Sequence, residues 1–189
     1  MKIVMRLLSD TIFGNGESIP GAEDMSVLVD DYGFPYYKGG TLKGIFREEL
    51  GRYLELTGSE ESEVRREIAR LLGNSGDDVN HANKLVFSDL CLSGKVKDNI
   101  IKEIGTDSKD AVTDALTNLR TFTKIGENGV VDNGSLRIAR CVNKGLVFYG
   151  DISCKEEDEE FVSRILGLIK GIGTMRNRGF GFVAIGKEE

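Results

Sequence analysis

Residues 2–8, KIVMRLL, alternate apolar and polar positions, and this period of two predicts a first strand. The following SDTIFGNGESIPGAED is rich in Gly, Ser and Asp and predicts a long loop. MSVLV is a short apolar run, and DYGFP after it a turn. From Thr41 the period changes. Leu42, Ile45, Phe46, Leu50, Tyr53 and Leu54 fall on one helical face, with Gly58 as the stop. Residues 59–80 are mostly polar: EESEVRREIARLL predicts an exposed helix and GNSGDDVNHAN a mobile loop. LVFSDLCL, 85–92, predicts a second strand. Residues 93–144 form a long insertion with one or two helices. In it TFTKI and SLRIARCV flank GENGVVDNG, the pattern of a hairpin with a long Gly/Asn-rich tip. GLVFYGDIS, 145–153, predicts a third strand, FVSRILGLIKGI, 161–172, a second main helix, and GFGFVAI, 179–185, a last strand.

This order is β-α-β-insertion-β-α-β, the split βαβ pattern. The expected fold class is α+β: a single ferredoxin-like (RRM-like) domain over 1–189. Residues 59–80 form a polar insertion, and 93–144 an insertion between strands 2 and 3 that carries the hairpin. Within the last strand, RGFGFV at 178–183 matches the signature strand of RNA recognition motifs, with Ile185 in place of the final aromatic. That signature strand is third of four, so a helix and a strand must follow it. Only Ala184 to Glu189 follow here, which argues against a simple RNA recognition motif.

The bulk composition narrows the class. With 189 residues, 40% hydrophobic and 30% charged, the chain suits one domain with its own core. It has no apolar run of about 18 residues and no signal-peptide pattern, so a cytoplasmic chain with no membrane partner is expected. Cys91, Cys141 and Cys154 are widely spaced and His81 is the one histidine, so buried free thiols are expected and a zinc site is not. The net charge of −6 argues against a non-specific nucleic-acid coat and leaves open a groove of clustered cations. Much of the acidic excess sits in KEEDEE, 155–160, read as a solvated helix start.

Four stretches carry candidate chemistry. In GIGTMRNRG, 171–179, glycines allow close approach of backbone to a ligand, and Arg176 and Arg178 offer forked donors suited to phosphate. A Gly-rich turn with solvated arginines is the plainer alternative. In YYKGGTLKGIFREEL, Lys43 and Arg47 share a face of a helix whose first-turn N–H groups favour an anion. The plainer alternative is a capped helix with a basic outer face. GAEDMSVLVDD places Glu23, Asp24, Asp30 and Asp31 in or near a loop, where carboxylates hold a divalent metal, handle a proton, or merely form turns. The hairpin over 119–142 mixes Arg120, Lys124, Arg137 and Arg140 with Phe122, Val130, Val131 and Ile138, as a wedge between stacked bases or as a self-packed surface excursion.

Gly21-Ala22-Glu23-Asp24, then Asp30, Pro35, Gly39-Gly40-Thr41-Leu42-Lys43-Gly44, the strand Leu85-Val86-Phe87-Ser88-Asp89 and the terminal Gly-rich loop together resemble the RAMP superfamily of CRISPR systems. The nearest likeness is to the backbone RNA-binding subunit of type III effector complexes. Lys38 stands where that family usually has proline, Thr41 replaces a serine, and Ile172 sits where small residues are common. The resemblance implies copies of the chain stacked head to tail along crRNA, with target RNA and other CRISPR effector subunits as further partners. It implies RNA binding by Lys38, Lys43, Arg47, Arg176, Arg178, Gly171, Gly173 and Gly179, and by Lys124, Arg137 and Arg140 of a thumb hairpin that displaces a base. It also implies target cleavage at Asp24, assisted by a divalent metal, Mg2+. Two alternatives stand beside it: a non-catalytic backbone subunit, and a guide-processing endoribonuclease of the same superfamily using His81.

Overall fold

Strand β1 (Lys2–Leu7) is an inner strand of the main sheet. Its alternation turns Ile3, Met5 and Leu7 into the core and leaves Lys2 and Arg6 on the other face. The computed structural model describes residues 1–14, 16, 18, 22–73, 84–104, 108–123, 125, 128–130, 132 and 134–188. Beyond β1, the main sheet takes in β2 (Tyr36–Tyr37), β3 (Val86–Phe87), β4 (Leu90–Leu92), β7 (Val147–Ser153) and β8 (Val183–Lys187). Its order is β2-β4-β7-β1-β8, with β3 also paired to β7, and every pairing is antiparallel.

Two helices cover one face of this sheet. Helix α1 (Gly39–Leu56) contributes Leu42, Phe46 and Leu50, and α5 (Glu159–Leu168) contributes Val162, Ile165 and Leu166. These side chains share one core with Ile3, Met5, Phe148, Ile152 and Val183. Each such burial contributes about 1.5–3 kcal/mol before entropy is counted. Helix α2 (Glu61–Leu72) opens on a Glu60/Glu63 capping box and buries Val64, Leu71 and Leu72. It is therefore only partly the exposed helix its polarity suggested. Its Arg70 forks onto Asp158 at 3.1 and 2.8 Å. Asp158 is buried, so the acidic run before α5 is not wholly solvated.

The stretch read as one strand over 85–92 is split by a bulge. Phe87 faces Ile152 and Cys91 faces Tyr149, so four steps on this strand match three on β7. The extra residue turns Asp89 toward α1, where Oδ1 accepts the Gly39 N–H at 2.8 Å. Gly39 packs so closely that a Cβ there would lie 2.4 Å from the Phe87 and Ser88 carbonyl oxygens.

The C-terminal boundaries also differ from expectation. Helix α5 stops at Leu168, four residues early, because Ile169 turns extended and 169–172 pairs with 181–183. The Val183 N–H donates to Lys170 O at 3.1 Å and the Ile172 N–H to Gly181 O at 2.9 Å. The last strand begins at Val183 rather than Gly179. MSVLV forms isolated bridges only, at Met25, Val27 and Val29.

Helices α3 (Gly94–Ile104) and α4 (Lys109–Leu116) lead into a separate hairpin, β5 (Thr117–Phe122) with β6 (Arg137–Val142). Its first strand starts earlier than the TFTKI expected. The hairpin base is anchored: Thr11 and Val142 exchange backbone hydrogen bonds at 3.0 and 2.8 Å, and Met25 bridges Ala139 in parallel. A small second core of Ile12, Ala139 and Cys141 gathers Met25, Phe122, Met175 and Phe180 around it. Burial pushes the Cys141 thiol up to about 12, so it stays protonated and inert. Cys91 and Cys154 are half-buried rather than fully buried. Among the described residues no helix is long and apolar enough to cross a membrane.

Candidate RNA interface

The Gly-rich loop after α5 is shaped by backbone crowding. Gly173 has φ +71° and a Cβ there would meet Ile12 O at 2.5 Å; Gly181 has φ +77° and would meet Ile172 O at 2.0 Å. Both glycines therefore serve approach of backbone to backbone within the chain. Gly171 is half-buried with Arg176 Cδ 3.3 Å from its virtual Cβ, and Gly179 has open space around it. Met175 takes the left-handed conformation at φ 57°. A 3-10 turn then lifts Arg176 and Arg178 into solvent, and neither guanidinium has an ion-pair or hydrogen-bond partner among the described residues.

This loop faces the start of α1. Lys38 and Thr41 of α1 and Gly173, Thr174 and Arg176 of the loop line one cleft of 270 Å³. Below it Tyr37 is 3% exposed, its hydroxyl beside the Gly173 amide. Burial pushes the Tyr37 phenol up to about 12, against the pull of the neighbouring Gly173 amide. The cleft thus offers two cations, the Thr41 hydroxyl and loop backbone to an anion, set against one lining carboxylate, Glu48.

Lys43 and Arg47 do not join it. At about 100° per residue they lie roughly 200° around the helix from Thr41 and Ile45, on the opposite flank of α1. Arg47 donates to Gly73 O at 3.1 Å. Burial and the adjacent Arg47 charge lower the pKa of Lys43. The helix start is itself partly occupied, since Asp89 already takes the Gly39 N–H.

The acidic loop docks on the edge of β6. Asp24 N–H donates to Ile138 O at 2.8 Å, and the Ile138 N–H donates back to Asp24 Oδ2 at 2.7 Å. The Asp24 side chain stays 41% exposed, with Arg137 3.8 Å from its other oxygen. Glu23 turns inward, 4% exposed, where Oε1 accepts from Nε of Arg140 at 2.6 Å and its second oxygen has no partner among the described residues. Arg140 also reaches Asp114 at 2.6 Å and Thr117 Oγ1 at 2.9 Å. Burial opposes the charge on Arg140, but these two carboxylates outweigh it and raise its pKa. The Arg140 fork is thus committed inside the chain, so contact with RNA through it would cost that network.

Asp30 is held by Lys97 at 2.8 Å and caps its own turn through the Tyr32 and Phe34 amides. Lys124, Gly21 and His81 lie outside the described residues, as do several residues of the hairpin tip and of the 73–83 loop. Among the described residues no three His, Cys, Asp or Glu side chains converge as metal ligands. Sequence reasoning singled out Arg120 as a hairpin cation but missed its partner Asp10, which holds the Arg120 guanidinium at 2.6 Å and also takes the Lys144 N–H at 3.0 Å.

Comparison with known proteins agrees with this architecture. Two chains of similar fold come from solved structures described as the type III-B Cmr-beta bound to cognate target RNA and type III-B Cmr-beta in the apo state. The first has a TM-score of 0.69 and 16% identity, with 98% of this chain and 95% of that chain covered. The second has a TM-score of 0.66 and 15% identity, with 97% and 95% covered. No match was found among curated proteins. The family model for the RAMP superfamily matches residues 4–184. With nearly all of its length matched, the chain belongs to the RAMP superfamily.

Proposed function

We propose that this chain is the guide-RNA-binding backbone subunit of a cytoplasmic type III CRISPR effector complex, and that it cleaves complementary target RNA. The observation that carries the reading is the Lys38–Arg176 cleft: a Gly-rich loop and a helix start, remote in sequence, converge with two cations that have no ion-pair partner among the described residues, in a chain whose net charge is −6. Family membership and the likeness to Cmr-beta subunits, one of them solved with target RNA, support it. We read the β4-β7-β1-β8 order as the ferredoxin-like arrangement and the β5–β6 hairpin as the thumb. Copies stack head to tail on crRNA beside other effector subunits, through contacts that do not close on themselves.

In this reading Asp24 works on the target strand. Its carboxylate accepts the proton of a ribose 2′-hydroxyl as that oxygen bonds to the adjacent phosphorus; the bond from phosphorus to the 5′-oxygen of the next nucleotide breaks, that oxygen takes a proton from water, and a 2′,3′-cyclic phosphate remains. The Ile138 amide, on Oδ2, orients the group, and Oδ1 on the half-exposed side chain has Arg137 3.8 Å away. Mg2+ is commonly held by one or two carboxylates together with substrate phosphates, and Asp24 with the RNA meets that minimum. When bound, the ion would stabilise charge on the phosphate. A non-catalytic backbone subunit is the second reading, favoured by the engagement of one Asp24 oxygen in the fold.

The test assembles the chain with guide RNA, adds matched target RNA with and without magnesium, and maps the cuts. Asp24→Ala and Asp24→Asn are expected to keep RNA binding and lose cutting by about 100-fold or more. Full cutting by both variants removes Asp24 from the mechanism. Tight target binding without cutting by the unmodified chain establishes the non-catalytic reading.

A further inference from the structure

Attack of a 2′-oxygen on phosphorus builds negative charge on the non-bridging oxygens of the phosphate, and Asp24, itself an anion, does nothing to stabilise it. A side-chain cation within reach of the same group would stabilise it directly. Two arginines of the hairpin are committed elsewhere: Arg120 closes on Asp10 and Arg140 on Glu23, each at 2.6 Å. Arg137 stands apart. Its Nη1 lies 3.8 Å from Asp24 Oδ1, outside hydrogen-bond range, and the two side chains are 57% and 41% exposed. They are neighbours that have not closed on each other, and both are open to a strand of RNA.

The backbone of β6 fixes their separation. Ile138 clamps Asp24 through both its N–H and its carbonyl oxygen. The residue before it carries the guanidinium, whose Nη1 donates to Leu136 O at 3.1 Å and Gly134 O at 3.5 Å. Nε and Nη2 of Arg137 are left with no partner among the described residues. Reacting atoms poised for attack sit about 3–3.5 Å apart. The 3.8 Å gap therefore lets one ribose and its 3′-phosphate touch both groups, the 2′-hydroxyl at Asp24 Oδ1 and a non-bridging oxygen at the free edge of Arg137.

We propose that Arg137 is a second catalytic residue of this site: its guanidinium donates to a non-bridging oxygen of the scissile phosphate and stabilises the charge that builds there. The proposal rests on the cleavage reading above and gives Arg137 a task beyond holding RNA. A contact equally strong in substrate and transition state raises affinity alone, whereas one that tightens as charge develops raises the cutting rate. Arg137 moves no proton. The 2′-hydroxyl proton still goes to Asp24, the bond from phosphorus to the 5′-oxygen breaks, and that oxygen is protonated by water.

The experiment assembles the full chain on guide RNA, saturates it with matched target RNA, and measures target affinity and single-turnover cutting separately. Arg137→Ala is expected to slow cutting about 100-fold or more, the scale for losing one preorganised donor, with affinity changed less than about threefold. Arg137→Lys, a point charge without the fork, should recover only part of the rate. Guanidinium chloride at millimolar concentration, matched by sodium chloride in the control, is expected to restore cutting by Arg137→Ala saturably and to leave Asp24→Ala inactive. If Arg137→Ala fails to fold, Arg137→Gln takes its place in every arm. Cutting at full rate by Arg137→Ala, a deficit that saturating target removes, or a rate loss that guanidinium does not repair each overturns the catalytic role, while loss of cutting in Asp24→Ala keeps the cleavage reading standing. An unmodified chain that binds target and does not cut overturns both.

Discussion

Arg140→Met removes a guanidinium from a place where water does not replace it. Among the described residues Glu23, 4% exposed, receives its hydrogen bonds from Arg140 alone, and its second oxygen already lacks a donor there. Breaking a buried pair from one side leaves an uncompensated charge and costs about 3–5 kcal/mol. The Asp114 arm adds little, since Asp114 is 68% exposed and such pairs contribute about 0–1 kcal/mol. The folding constant should therefore drop by roughly two to three and a half powers of ten. Urea unfolding of the unmodified chain, Arg140→Met, Glu23→Gln and the double variant gives the coupling through a thermodynamic cycle. The double variant is expected to be more stable than Arg140→Met alone, with a coupling of about 2 kcal/mol or more. Hydrogen exchange should show the loss locally. The Asp24, Met25 and Arg140 amides, which join the acidic loop to β6, should lose protection first. Arg140→Met within about 1 kcal/mol of the unmodified chain, or strict additivity in the cycle, would refute the claim that this pair seats the loop bearing Asp24.

Two further outcomes rest on geometry and on charge. Gly39→Ala places a methyl 2.4 Å from two carbonyl oxygens and is expected to destabilise the fold severely, whereas Gly40→Ala meets nothing within 4 Å and should be neutral or slightly stabilising; thermal melts of the pair check both. Burial works to raise the Asp10 carboxyl, but hydrogen bonds from Arg120, the Lys144 amide and Asn118 outweigh it and hold it below 3.8. Its contribution is thus present above the unfolded value and lost as pH falls through the folded one, so Asp10→Asn should flatten stability against pH below about 4.

Where a side chain's role is local, the sequence announced it. The alternation of KIVMRLL put Ile3, Met5 and Leu7 inside, and the helical period put Leu42, Phe46 and Leu50 on one face. Where the decision is made by a distant partner, it did not. Ile169 and Ile172 keep the helical period of α5, yet pairing with 181–183 draws them into extended backbone. LVFSDLCL reads as one strand because nothing in it marks the bulge that gives Asp89 to Gly39, a residue 50 positions away. The candidate site divides in the same way. Arg176 and Arg178 are legible as solvent-facing cations from their glycine neighbours. Lys43 and Arg47 share their expected face, but that face looks away from the Gly-rich loop. Arg140 looked like a ligand for RNA because Glu23, 117 residues away, is invisible from the hairpin.

The placement of β1 between β7 and β8 has a consequence for how the protein is made. This inner strand is synthesised before both of its neighbours, and the backbone groups on its two edges are taken by Val147–Ser153 and Val183–Lys187. At about 5–20 residues per second on the ribosome, on the order of ten seconds pass before either neighbour exists. Through that interval an apolar strand with two open edges is presented to other nascent chains. The α1–α2 pair, whose contacts are local, has the means to form early and shield part of it. Yield in the cell should accordingly depend on translation speed and on chaperones that hold unfinished chains, more steeply than the stability of the finished molecule would suggest.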